Sequence, residues 1–307
     1  MNISLRARFI RYLAKLSFAR VTPNSDLQET RELFESTAGR YGPPRSVSVR
    51  QADIAGVSCD WLVPAGCDKA PLLYYLHGGA YIMGSSRTHR RLVAHIAGAA
   101  GVRAVLPNYR LAPEHPYPAG IEDASNVYRE LLQQGEQPSR ICIAGDSAGG
   151  GLTMATLLNL RHAAVEMPAA TVLLSPWLDL SASGESIHTR ADVEPLFKAE
   201  HMPHAADFYC QPGQRREPLA SPVFADVSGL PRTLIQVGDH EILLSDSTRI
   251  ADKLKAAGVS VDLQIWPEMW HVFQFFVRFM PEATRAVAEM GLYIKDALRE
   301  PASQKPD

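Results

Sequence analysis

Cysteine is scarce in this chain. Cys59, Cys67, Cys142 and Cys210 are the only four in 307 residues, and no Cys-x-x-Cys pair occurs. That excludes a disulfide-stapled scaffold and a zinc spacing, and it leads us to expect reduced thiols in a cytoplasmic chain. Cys142 falls inside an apolar run and reads as a buried thiol. Charge of one sign is also lacking: 31 basic and 33 acidic residues leave a net charge of -2. A nucleic-acid-binding surface is therefore not expected. Long apolar runs, internal repeats and low-complexity blocks are absent. Residues 1–20 set Leu5, Phe9, Ile10, Leu13, Leu16 and Phe18 against Arg6, Arg8, Arg11, Lys15 and Arg20. They have neither the continuous apolar core of a signal peptide nor its cleavage site, and stable membrane insertion is not expected. The pattern predicts a helix packed over the site as part of a lid, with a membrane-surface helix as the alternative. Residues 301–307 read as a flexible tail.

Apolar residues, by contrast, are ample: 46% of the chain against 21% charged, enough to bury one large core. Strand-like runs occur at Val47–Ile54 and at residues 57–63, 71–76, 102–106, 141–144, 171–174, 233–237 and 259–265. Helical periodicity separates most of them, at Leu27–Ala38 and at residues 90–99, 121–133, 152–160, 245–257 and 282–298. This alternation predicts an α/β fold with a mostly parallel, doubly wound sheet of eight strands and helices on both faces. The first two strands are joined too tightly for a crossover and should form an antiparallel edge. We expect residues 1–45 as the N-terminal part of a helical cap, 46–178 and 226–300 as the two parts of the catalytic core, and 179–225, where the alternation breaks, as a cap insertion.

The most informative stretch is Gly145-Asp146-Ser147-Ala148-Gly149, a G-x-S-x-G pattern between a strand and a helix. Such a sharp turn strains the serine backbone and lifts its hydroxyl clear of the sheet's C-terminal edge. A serine hydroxyl needs a base, and the base needs an orienting group. His271, after the last strand, is the candidate base. Asp239 and Glu241 both leave the end of the preceding strand, and sequence physics leaves the choice between them open. His77-Gly78-Gly79-Ala80-Tyr81 follows its own strand, so the N–H groups of Gly79 and Ala80, with that of Ala148, form a candidate oxyanion hole. Asp146 reads as structural. Trp177 reads equally as pocket lining or as core.

These pieces, with Asn108-Tyr109-Arg110-Leu111-Ala112-Pro113-Glu114, Ser175-Pro176-Trp177 and His271-Val272-Phe273, occur in the order found in the bacterial hormone-sensitive-lipase-like esterases, which the chain resembles between residues 77 and 273. The resemblance implies the α/β-hydrolase fold and a serine carboxylesterase acting on short to medium acyl esters through an acyl-enzyme. It implies neither cofactor nor metal, and a small apolar ester as partner. The family's acid motif lies about thirty residues before its histidine. Glu241 stands thirty before His271 and Asp239 thirty-two, which favours Glu241, a departure from the family's usual aspartate. A second departure is Ala80 in place of the third oxyanion glycine, for which an ordinary backbone angle is expected. The resemblance also implies a structural His77, a buried acid (Asp123 or Asp179) pairing with Arg110, and a homodimer through the last strand and following helix. Leu196, Phe197, Phe208, Tyr209, Leu219 and Phe224 are expected to roof an acyl pocket. The competing classes are a related amidase, lactonase or arylacetamide-type hydrolase, and a non-catalytic binding protein on the same fold.

Overall fold

The computed structural model describes residues 3–18 and 25–299; the expected tail at 301–307 lies outside them. The centre is an eight-stranded sheet in the order β1-β2-β4-β3-β5-β6-β7-β8. Its strands are β1 (Val47–Ile54), β2 (Val57–Pro64), β3 (Leu72–Leu76), β4 (Arg103–Pro107), β5 (Ile141–Asp146), β6 (Ala170–Leu174), β7 (Arg232–Gly238) and β8 (Val261–Trp266). β2 runs antiparallel to both β1 and β4, and the remaining pairs are parallel. The α/β-hydrolase fold and its antiparallel edge are thus as expected, and most boundaries agree to within one or two residues.

The nine α-helices of the described residues are α1 (Leu5–Phe18), α2 (Leu27–Ala38), α3 (Ser86–Ala100), α4 (Ala119–Gln133), α5 (Ala148–His162), α6 (Ser186–Thr189), α7 (Met202–Tyr209), α8 (Leu244–Ala256) and α9 (Pro281–Ala297). The central strands are buried on both sides, and alternate residues feed two cores. Leu72, Tyr74 and Leu76 of β3 join side chains of α4, α5 and α8, while Leu73 and Tyr75 join side chains of α3 and α9. Among the described residues no helix is long and apolar enough to cross a membrane.

Two helix starts differ from the sequence reading. α3 begins before residue 90 because Ser85 caps it, its side chain and that of Thr88 each accepting the other's backbone N–H. α5 begins at Ala148, directly after the turn; the sequence reading starts it at residue 152 because Gly149, Gly150 and Gly151 carry no apolar signal. Gly149 has a steric reason: a Cβ there would stand 2.1 Å from the Leu76 carbonyl oxygen. This lets α5 start hard against the end of β3.

Between β6 and β7 the chain makes α6, α7 and several short 3-10 turns, with no strand. This segment reaches back over the sheet end: the Tyr209 ring stacks on Tyr81 at 3.8 Å between centroids, and the Tyr117 N–H donates to the Tyr209 carbonyl at 2.8 Å. α2 closes the same side, with Arg31 donating to the carbonyls of Ile82 and Ala112 and pairing with Glu114.

Candidate active site

Ser147 stands between β5 and α5 with φ 52° and ψ -124°. A side-chain-bearing residue held there costs about 1–3 kcal/mol, so surrounding contacts must impose it. They do. Its N–H donates to the Leu174 carbonyl at 2.9 Å, and its own carbonyl accepts from Gly150, Gly151 and Trp177. Gly145 is needed here as well, since a Cβ would lie 2.3 Å from the Gly149 carbonyl oxygen. The strained turn expected from the motif is present.

The loop after β3 bends through consecutive positive φ values, 123° at Gly79, 54° at Ala80 and 64° at Tyr81. This corrects the expectation for Ala80. Its backbone is left-handed, at a cost on the order of 1–2 kcal/mol for a residue with a Cβ. The turn forces it, because the Gly79 carbonyl accepts from both Ile82 and Met83 at 3.0 Å. The Gly78 N–H is taken up by Asp146. Among the described residues, no acceptor takes the N–H groups of Gly79, Ala80 or Ala148.

Asp146 is buried and serves this loop: it accepts from the Tyr75 hydroxyl at 2.8 Å and the Gly78 N–H at 3.1 Å, and faces the His89 ring at 3.3 Å. Burial opposes its charge, yet the neighbouring His89 and these hydrogen bonds hold its carboxyl below the usual range. His77 is structural in geometry: Nδ1 donates to the Gly78 carbonyl at 2.9 Å and the ring stacks on Tyr109 at 4.2 Å. Burial, and then the charge of His89, push it down to about 3. It is therefore neutral near pH 7.

On the far side of the site, Glu241 and His271 meet. Glu241 Oε2 lies 3.0 Å from His271 Nδ1, with Glu241 fully buried and His271 5% exposed. The other oxygen, Oε1, accepts from the Gly238 N–H at 2.6 Å and the Ser175 hydroxyl at 2.8 Å. Burial works against a charged imidazole. The hydrogen bond and charge of Glu241, then the charges of Glu194 and Asp146, outweigh it and raise the His271 pKa above its ordinary value. Asp239 points elsewhere: its carboxylate accepts the Glu268 N–H and so fastens the loop that carries His271. Of the two carboxylates, Glu241 is the one that meets His271.

Ser175 joins the halves. Its hydroxyl donates to Glu241 and accepts the Val272 N–H at 3.1 Å. Its preceding neighbour, Leu174, is the residue that holds the Ser147 N–H. The sequence marked Ser175 only as part of Ser-Pro-Trp, with no role. Glu194 was missed altogether: it is 8% exposed, and Oε2 accepts the Ile242 N–H at 3.3 Å. A lone carboxylate in an aperiodic stretch gives no sequence signal.

The supporting residues resolve as follows. Arg110 pairs with Asp123, its Nε 2.9 Å from both carboxylate oxygens, whereas Asp179 pairs with Arg249 at 2.8 Å. Trp177 is buried beside Tyr81 and donates to the Asp179 carbonyl. Of the expected roof, Phe197 stands edge-on to the His271 ring, centroids 4.9 Å apart. Tyr209 packs on Tyr81. Phe224 instead lies under the guanidinium groups of Arg216 and Arg249. Cys142 is buried and its thiol is pushed up by desolvation. Among the described residues, no cluster of three or more His, Cys, Asp or Glu is placed to hold a metal.

Comparison with known proteins agrees with this geometry. Residues 73–275 match the model of a family described as having the alpha/beta hydrolase fold. The chain is 39% identical over 282 residues to an acetyl-hydrolase of Streptomyces hygroscopicus, covering 91% of this chain and 93% of that one. It is 38% identical over 250 residues to an esterase of Acinetobacter venetianus, covering 80% and 81%. The crystal structure of an esterase from the bacterial hormone-sensitive lipase family superposes with a TM-score of 0.93 at 40% identity, covering 97% of this chain and all of that one. EstE5 soaked with p-nitrophenyl butyrate superposes with a TM-score of 0.91 at 37% identity, covering 96% and 99%. The chain belongs to the α/β-hydrolase family, in its bacterial hormone-sensitive-lipase branch.

Proposed function

We propose that the protein is a serine carboxylesterase acting on short to medium acyl esters, with Ser147 as nucleophile, His271 as general base and acid, and Glu241 as the orienting acid. The contact between Glu241 and His271 Nδ1 carries this reading. It fixes the tautomer that leaves Nε2 free to take a proton. The names of the relatives, among them an acetyl-hydrolase and an esterase, support the same class.

In this reading Ser147 Oγ attacks the ester carbonyl carbon while His271 Nε2 accepts its proton. The carbonyl oxygen gains the negative charge and is met by the N–H groups of Gly79, Ala80 and Ala148. Each such donor is worth about 3 kcal/mol in the transition state. The tetrahedral adduct collapses, the C–O bond to the alcohol breaks, and His271 gives its proton to the departing oxygen. A water molecule, deprotonated by the same imidazole, then attacks the acyl-enzyme and releases the acid and Ser147. The neutral His77 stays outside this cycle.

Aromatic rings on the insertion between β6 and β7 crowd the site, and this crowding supports small acyl groups. Initial rates on p-nitrophenyl esters of increasing chain length test it, beside a matched anilide. We expect the best rates on short to medium chains and little anilide turnover. An optimum beyond about twelve carbons, or an equal rate on the amide, would overturn the reading.

A further inference from the structure

The insertion between β6 and β7 reaches His271 and the backbone next to Glu241 through one short stretch. Glu194 Oε1 accepts the Leu196 N–H at 2.8 Å, and Oε2 accepts the N–H of Ile242, the residue after Glu241. Phe197, three residues on, lies against the His271 ring. The ionisable groups facing Glu194 are His271, from the loop after β8, and Glu241, from the loop after β7. Asp146, beside Ser147, adds its charge at His271. Burial pushes the Glu194 carboxyl up to about 7, against the attraction of a charged His271, and Glu241 adds repulsion.

We propose that Glu194 is a positioning residue that clips the insertion to the Glu241 loop and lends its negative charge to the imidazolium formed when Ser147 attacks. The proposal rests on the reading of His271 as the base. A carboxylate near His271 favours the protonated ring, so its removal lowers the imidazole pKa.

The test is the pH profile of kcat/KM for Glu194→Gln and Glu194→Asp with p-nitrophenyl butyrate, with folding checked by circular dichroism. In Glu194→Gln we expect kcat/KM at the plateau, above about pH 8 where Glu194 is ionised, to fall severalfold, and the gap to wild type to narrow as pH falls below about 7, where Glu194 is itself protonated. Glu194→Asp keeps the charge and should restore most of the plateau rate. If Gln does not fold, the neutral Glu194→Met carries the same test. A wild-type plateau rate in the neutral variant, or a loss that is the same at every pH, would overturn the proposal. Failure of the parent reading is distinguishable, because His271→Ala would then keep ester turnover.

A separate observation concerns α1. Ile3 and Ala7 are buried against the loop that carries His271, in a cluster with Trp266, Met269 and Trp270, and Ala14 is buried on the same face of the helix. The opposite face leaves Leu5, Phe9, Tyr12 and Leu16 exposed, at 81%, 61%, 60% and 51%. Spacings of four, three and four residues put these side chains in one stripe. Arg6 flanks it on one side and Arg8 and Lys15 on the other, and α1 contains no acidic residue. Arg11 ties the helix to His240, next to Glu241.

From this stripe and its basic borders we infer that α1 docks flat on an anionic lipid surface, with the base side of the site facing it. Sedimentation with vesicles tests it. We expect binding to vesicles containing phosphatidylglycerol, at least tenfold weaker binding to phosphatidylcholine alone, and loss of binding in Phe9→Ser/Leu16→Ser with unchanged turnover of p-nitrophenyl butyrate. No binding to either vesicle would overturn it. So would a dimer in light scattering that the same double substitution dissolves, since that would assign the stripe to a second copy.

Discussion

On the proposed reading, the nucleophile side and the base side of this site are built in opposite ways. The nucleophile side, from the ends of β3 and β5, is made of backbone. Glycines sit where a Cβ would strike a carbonyl, three consecutive residues take positive φ, and a strained serine is held by main-chain hydrogen bonds. The base side, after β7 and β8, is made of side chains that meet across long stretches of chain: Ser175, Glu194, Glu241 and His271. The backbone half sets geometry, and the side-chain half sets protonation. Damage to the first should therefore act on rate at every pH, while damage to the second should also move the pH dependence.

Apart from loss of Ser147 itself, the largest effect expected is on the base side. Glu241→Ala should lower kcat by about 10²–10⁴, because the imidazole loses both its tautomer control and its compensating charge. Asp239→Ala should cost less than about tenfold, since that carboxylate holds the Glu268 N–H and lies 3.9 Å from His240 rather than meeting His271. Equal losses in the two variants would erase the distinction drawn between the carboxylates.

On the nucleophile side, Ala80→Pro removes one N–H donor and also forbids the left-handed bend, so it should lower kcat by about 10²–10³ or more with an unmoved acid limb. Ala80→Gly keeps the donor and suits the left-handed backbone, so its rate should stay near wild type. A fall in the glycine variant as large as that in the proline variant would mean that the side chain, not the N–H, matters there. In the wild-type enzyme the base must be unprotonated. A His271 pKa raised by Glu241 therefore places the acid limb of kcat/KM above the free-imidazole value of 6.5. A limb below 6.5 would contradict that electrostatic account.

This division also explains what could be read from the chain. The elbow and the oxyanion loop are contiguous, so Gly145, Ser147, Gly149, Gly79 and the neighbouring strands were legible as patterns. The positive φ of Ala80 was not, because an alanine hides a demand that a glycine would have advertised. The succession of strands and helices followed from alternating periodicity, since buried strands and half-buried helices leave different spacings, whereas the strand order was not read from the chain. On the base side, Ser and Glu are common residues whose meaning arises only on contact. The sequence could narrow the acid to Asp239 or Glu241 but gave Ser175 no role and missed Glu194. The stretch around Glu194 has no period that would betray which way its carboxylate faces.

The smallest effect concerns assembly. β8 is an edge strand, and Ile265 on it and Leu292 on α9 are exposed. We propose that this edge pairs with a second copy, as open strand edges do. Light scattering at micromolar protein should give a dimer mass; a monomer would refute it and leave the site itself untouched.

The most direct test of the central claim is covalent. A fluorophosphonate should add one phosphonyl group per chain, and peptide mass spectrometry should place it on Ser147. The Ser147→Ala variant should stay unlabelled and lose nearly all turnover of p-nitrophenyl butyrate. An adduct on another residue, or a Ser147→Ala enzyme that still turns over ester at close to the wild-type rate, would contradict the account.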